Sequence, residues 1–125
     1  MAEADADCVF CNIRAPVASN ELALVIFDRY PVNPGHVLIL PKRHVSDFFA
    51  TTSQERDAML SLVAEMKRRT DEKLAPDGYN VGVNVGIAAG QTVMHVHLHL
   101  IPRFFGDTEN PRGGVRGVIP AKQSY

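Results

Sequence analysis

Residues 95–101 read His95-Val96-His97-Leu98-His99-Leu100-Ile101. Three imidazoles alternate with apolar side chains at a period of two. That period predicts a strand with the histidines on one face and Val96, Leu98 and Leu100 on the other. The polar face offers groups that act as nucleophile, proton carrier or metal ligand, and the apolar face can anchor them in a core. Three of the five histidines in the chain lie in this heptapeptide, so whatever chemistry the chain performs is concentrated here.

The flanks add to the chemistry. Gly90-Gln91-Thr92 sets an amide and a hydroxyl beside the imidazoles. Gly86 and Gly90 allow backbone to approach a ligand closely, although the Walker phosphate-loop signature is absent. Read from the residues alone, the histidine row admits two chemistries. Two histidines at i and i+2 chelate a zinc ion with help from elsewhere. A neutral imidazole, titrating near pH 6.5, is also a nucleophile at cellular pH, with its neighbours orienting it and moving protons.

The wider composition is that of one ordinary domain. The 125 residues suffice for a core without cross-links. A formal net charge of −1 gives no general affinity for nucleic acid. The apolar runs fall far short of a membrane span. The start, Met1 to Asp7, is acidic and lacks the basic and apolar regions of a secretory signal, which points to a cytoplasmic location. Residues 1–7 read as a disordered tail. Cys8-Val9-Phe10-Cys11 follows. In a reducing compartment a structural disulfide is disfavoured. The pair is then half of a metal site, two incidental thiols, or a redox couple, though no strand precedes it as a redox motif would require.

Elements can be placed around the heptapeptide. Glu21–Asp28 and His36–Leu40 are apolar strands separated by the Pro/Gly turn of residues 29–35, and Pro41 stops the second. Thr52 with Glu55 forms a capping box. The helix it opens runs to about Leu74, with Ala58, Met59, Leu62, Val63 and Met66 on one face. Tyr79–Val85 alternates as a strand, and residues 86–90 form a flexible loop before the histidines. Residues 105–125, rich in Gly and Pro, read as an extended tail over the domain or a partner. Consecutive strands with short turns favour an antiparallel α+β arrangement.

Residues 90–101 resemble the signature of the histidine triad (HIT) superfamily, His-φ-His-φ-His-φ-φ with φ apolar, and every position of that motif is matched. Pro34-Gly35-His36 through Pro41-Lys42-Arg43-His44 also resembles the family, as do Asp28 and Asn84, so the likeness spans about Cys8 to Arg103. The resemblance implies a five-stranded antiparallel sheet with one long and one short helix, in a domain over residues 8–104, and a two-fold homodimer. It implies attack by His97 on the α-phosphorus of a nucleotide, a covalent nucleotidyl-histidine, and hydrolysis to a nucleoside monophosphate. In that scheme His99 holds the ring and its proton in register, and His36 faces the same site. Gln91 and Thr92 contact the phosphate and leaving group, with Gly90 beside them. Asn84 binds a phosphate oxygen and Asp28 the ribose hydroxyls. Phe10, Ile13, Ile26 and Leu38 line a purine pocket, or simply pack a core.

Some members of the superfamily carry a structural zinc, and the positions that match its ligands are Cys8, Cys11, His44 and His95. Two activities compete within the resemblance: hydrolysis of nucleoside phosphoramidates and cleavage of dinucleoside polyphosphates. Gln91-Thr92-Val93 and Ile101-Pro102-Arg103 resemble the second, fragile-histidine-triad branch, whose eukaryotic members do not typically carry the cysteines. Two alternatives stand beside the hydrolase: a nucleotide-binding regulatory module, and a zinc hydrolase with all three histidines on one metal. Arg112 and Arg116 in the tail either meet a polyphosphate or are solvated charge or a dimer contact.

Overall fold

The computed structural model describes residues 7–125; the tail expected over 1–7 lies, but for Asp7, outside the described residues. In chain order the regular elements are β1 (Ala18–Ser19), β2 (Ala23–Phe27), β3 (Val37–Pro41), α1 (Ser53–Leu74), β4 (Gly78–Val83) and β5 (Leu98–Arg103). The strands form one sheet in the order β1-β2-β3-β5-β4. Every neighbouring pair is antiparallel. β5, last in the chain, is inserted between β3 and β4, so the strand carrying His99 is internal.

Period-two alternation sorts the side chains of these strands onto two buried faces. Ala23, Val25, Val37, Ile39, Leu98 and Leu100 meet Met59, Leu62 and Met66 of α1 in the main core. Leu24, Leu38 and Leu40 face the other way and are covered by Phe10, Ile13 and Ile26. A sheet covered on both faces reads as unbroken apolar runs, which is why Glu21–Asp28 and His36–Leu40 look as they do. Leu98 and Leu100 therefore anchor β5 to the helix side and turn His99 to the opposite face.

Four details depart from the sequence reading. The histidine strand begins at Leu98, not His95. Val96 N–H donates to Val45 O at 2.8 Å, and the side chains of His95 and His97 bond to backbone carbonyls, so this stretch is held outside the sheet ladder. β1 is the fifth strand of the sheet that the resemblance implies, but the residue pattern does not place it, because two residues carry no readable period. Among the described residues α1 is the one α-helix; the short helical pieces, such as Val9–Cys11 and Ile87–Ala89, are 3₁₀ turns. Residues 105–125 are not simply extended, since Gly114–Val118 and Pro120–Lys122 wind into 3₁₀ turns. No helix among the described residues is long and apolar enough to cross a membrane.

The helix start carries more than its own cap. Thr52 Oγ1 accepts from Glu55 N at 3.0 Å and Glu55 Oε1 accepts from Thr52 N at 2.9 Å, as the capping box predicts. The same buried carboxylate takes a two-pronged contact from Arg43, Nε to Oε2 at 2.9 Å and Nη2 to Oε1 at 2.8 Å. Arg43 above all, with the Thr52 N–H, holds the Glu55 carboxyl below its ordinary pKa. Residues 42–46, just past β3, are thereby stapled to the helix. Thr52→Ala should cost about 1 kcal/mol of stability. Glu55→Ala should cost roughly 2 kcal/mol or more, because it also removes the carboxylate from the Arg43 guanidinium and leaves it only the Ala50 carbonyl. Urea unfolding of both variants measures the order of the two effects.

Candidate active site and metal centre

Cys8 caps the start of the Val9–Cys11 turn and Cys11 ends it, which brings both thiols to one side. His44 follows β3 and His95 precedes β5. One ligand atom from each of the four lies within 4.8 Å of the others. Cys8 Sγ and Cys11 Sγ are both 3.5 Å from His95 Nδ1, and Cys11 Sγ is 3.3 Å from His44 Nδ1. Sulfur and nitrogen ligands around a tetrahedral zinc, at about 2.3 and 2.1 Å from it, stand roughly 3.5 Å apart. The donor set and its spacing therefore fit that ion. The buried His95 ring is also held in the required tautomer: Nε2–H donates to Pro41 O at 2.7 Å, which leaves the Nδ1 lone pair facing the thiols.

His97 is turned differently. Its Nδ1–H donates to the carbonyl of His95 at 2.9 Å, so Nε2 carries the lone pair. Phe10 packs edge-on against the ring, with centroids 5.1 Å apart. It is the His95 carbonyl, rather than His99, that sets the ring of His97; the His99 ring lies beside it at 5.2 Å between centroids. The triad does not converge on a single metal. Among the described residues His95 belongs to the cysteine cluster, His99 to a separate group with Asp28 and His36, and His97 to neither.

The remaining histidines form a chain whose proton positions follow from one backbone group. Val32 N–H donates to His36 Nδ1 at 3.0 Å, which makes Nε2 the protonated nitrogen of neutral His36. His36 Nε2–H in turn donates to His99 Nδ1 at 2.9 Å, so neutral His99 carries its proton on Nε2. Asp28 Oδ2 stands 3.4 Å from His36 Nε2 and 4.0 Å from His99 Nδ1. Burial lowers the proton affinity of both rings, and nearby His97 and His36 push His99 down further, to about 4, against the pull of Asp28. At neutral pH both are uncharged.

A cavity of about 690 Å³ opens beside His97 and His99. Phe10, Ile13, Ile26 and Leu38 form its apolar wall, and Asp28, Asn84, Gly90 and Thr92 line it too. Its walls also include Val9, Phe27, Tyr30 and Arg29, the one basic side chain among them. These are ordinary turn and strand residues with no motif to single them out. His36 stands behind His99 instead of on this wall. Gln91 is not on it either. Its side chain is buried, Oε1 accepts from Gly86 N at 2.9 Å, and Nε2 donates to Ser46 O at 2.7 Å and Val93 O at 3.1 Å. Both amide hydrogens are thus used to close the 86–93 loop.

With this geometry in place, comparison with known proteins is informative. A family model described as the HIT domain matches residues 14–106, and the chain belongs to that family. A HIT-like protein of Mycoplasma pneumoniae is 36% identical over 107 residues, covering 81% of this chain and 74% of its own. A Mycobacterium tuberculosis protein named AP-4-A phosphorylase is 35% identical over 92 residues, 73% of this chain but 47% of its own length. The crystal structure of a zinc-bound histidine triad family protein from Mycobacterium smegmatis superposes with a TM-score of 0.75 at 36% identity, covering 83% of this chain and 80% of that one.

The low proton affinity of His99 has a consequence for stability. Between its ordinary value of 6.5 and about 4, the unfolded chain binds a proton that the folded chain refuses. Stability from this group is therefore complete above pH 6.5 and is lost as the pH falls toward 4. Chemical denaturation between pH 7 and 4.5 should show falling stability, with a shallower fall in His99→Gln; equal slopes would show that the ring titrates normally.

Proposed function

We propose that this protein is a nucleotide hydrolase that works through a covalent nucleotidyl-histidine on His97. The observation that carries this reading is the His97 ring itself: Nδ1–H is fixed on the His95 carbonyl and the Nε2 lone pair stands at a cavity sized for a nucleotide. A pocket that only bound nucleotides would have no need of a nucleophile so oriented. The likeness to a protein named AP-4-A phosphorylase supports a nucleotide as substrate.

In the first step His97 Nε2 bonds to the α-phosphorus in line. The bond from phosphorus to the leaving nitrogen or oxygen breaks, and its electron pair goes to that atom. His99 Nε2–H hydrogen-bonds the departing atom, which takes its proton from solvent when it needs one. In the second step water attacks the same phosphorus and gives up a proton to solvent. The phosphorus–nitrogen bond breaks, its electron pair returns to His97 Nε2, and a nucleoside monophosphate leaves. The base lies between Phe10, Ile13, Ile26 and Leu38. Asp28 accepts from ribose hydroxyls, and Asn84 and Thr92 hydrogen-bond phosphate oxygens. Substrates of this kind include nucleoside phosphoramidates and dinucleoside polyphosphates.

We also infer that Cys8, Cys11, His44 and His95 hold one structural zinc per chain. Bound there, the metal supplies a cross-link between the N-terminal turn and the triad and takes no part in the reaction. His95, clamped at both ring nitrogens, then presents its carbonyl to His97 without play. Two copies of the chain are expected to associate as a two-fold dimer, which light scattering would detect.

Brief mixing with an adenylylated substrate and mass analysis should find one AMP adduct on His97. His97→Ala should lose the adduct and reduce kcat by roughly three orders of magnitude or more. Absence of adduct and product across phosphoramidates and polyphosphates would refute the hydrolase. For the metal, purified protein should carry about one zinc per chain. Cys8→Ser should lose it together with thermal stability, since metal binding is coupled to folding. A wild-type protein free of zinc would exclude the site.

A further inference from the structure

Phe10 belongs to two sites at once. It lies between Cys8 and Cys11, inside the turn that carries two of the four metal-ligand side chains. It also lines the cavity beside His97, as does its neighbour Val9. Its ring stands edge-on to two members of the histidine row, with centroids 6.1 Å from His95 and 5.1 Å from His97. One aromatic side chain thus joins a metal ligand, the proposed nucleophile and the wall of the base pocket.

The turn is seated on the domain by side chains. Its own closure is local: Cys11 N–H donates to Cys8 O at 3.1 Å, and Asn12 Nδ2 donates to the same carbonyl at 2.8 Å. Pairing with the sheet is in place further on, at Val17, whose N–H donates to Val25 O at 2.8 Å. On one side the thiols of the turn meet the rings of His44 and His95. On the other, Phe10 and Ile13 pack on Leu24, Leu38 and Leu40. A thiol is a weak hydrogen-bond partner for an imidazole, whereas the same four groups hold a zinc ion strongly and in fixed directions. Without metal, the burial of two side chains has to offset the entropy of ordering the whole turn. With metal, the turn is fixed before any other ligand arrives.

A base entering the pocket needs the Phe10 wall in position. In the metal-loaded chain that wall is ready. In the metal-free chain the nucleotide must order it, and the cost is subtracted from its affinity. Binding free energies are reciprocal, so a nucleotide that holds Phe10 raises the affinity for metal by the same factor. Nothing in this requires the nucleotide to plug the metal site. A separate cleft of about 320 Å³, lined by Cys8 and His44, opens on the ligands. Val9, Thr92 and Val93 form the wall it shares with the nucleotide cavity. Metal and chelator reach Cys8 from that side while the other cavity is filled.

We propose that the cysteine–histidine site and the nucleotide cavity are coupled through Phe10, so that bound zinc tightens nucleotide binding and bound nucleotide tightens zinc binding. Phe10 is then a positioning residue, and the metal site regulates how much of the protein is ready to accept a substrate. The coupling rests on the zinc and nucleotide readings above.

The test measures zinc affinity of the loaded protein by equilibrium competition with a chromogenic chelator, with and without saturating AMP, and with AMP alone as the blank. AMP should raise the affinity about tenfold, within the ordinary range for coupled sites. Phe10→Ala should bind AMP more weakly, and at saturating AMP its zinc affinity should change by less than about twofold. Ile26→Ala trims the same pocket from a strand that carries no metal ligand. It should also weaken AMP binding, yet keep the full effect on zinc at saturation. In the reverse direction, zinc-depleted protein that retains its circular dichroism should bind AMP more weakly by the same factor. Where depletion unfolds the chain, the competition on loaded protein decides. Zinc affinity unmoved by bound AMP overturns the coupling and leaves both readings standing. Equal loss of the effect in Phe10→Ala and Ile26→Ala overturns the part given to Phe10. A protein that binds no zinc removes the metal reading and the coupling with it, and one that binds zinc but no AMP removes the nucleotide reading and the coupling.

Discussion

The site depends on how one buried residue is gripped. His95 bonds Pro41 O through Nε2, faces two thiols through Nδ1, and offers its own carbonyl to His97. Each contact removes a freedom. The first fixes the tautomer, the second ties the ring to the N-terminal turn, and the third decides which nitrogen of His97 is basic. A nucleophile must present a lone pair in one direction, and a neutral imidazole can present it from either nitrogen. Here the choice is made by main chain rather than by another titratable group. It therefore does not change as neighbouring histidines gain or lose protons.

The rest of the fold serves to keep that grip in place. Glu55 joins the helix start to Arg43, and His44 follows directly. Leu98 and Leu100 pin β5 to the helix side and commit His99 to the other face. Val32 N–H then orders the second pair of rings. The two histidine systems are thus set by independent backbone groups on different segments, and they meet at a single point beside the cavity.

Much of this is readable from residue order wherever the determinants are local. The capping box needs only Thr52 and Glu55, three residues apart, and the helix follows from the spacing of Met59, Leu62 and Met66. The grouping of Cys8, Cys11, His44 and His95 comes from likeness to a family, because residues so far apart in sequence carry no mutual spacing rule. The period of two correctly turns Leu98 and Leu100 inward but says nothing about where the ladder stops, so it overextends the strand to His95. Gln91 shows how residue type misleads: an amide suited to phosphate is buried and closes a loop. The Val32 N–H is invisible to any reading of side chains. In the tail, glycine content suggests an extended path, while Arg116, Gln123 and Tyr125 cross-brace it.

The insertion of β5 between β3 and β4 also governs when the site can exist during folding. His36 and His99 are 63 residues apart, and their contact forms only when the last strand enters the sheet. Until then β3 and β4 each have an open edge, and neither histidine has its partner. Such long-range closure slows folding and prolongs the exposure of strand edges. In return, a half-folded chain carries no assembled histidine pair, so sheet completion and assembly of the site arrive in the same event.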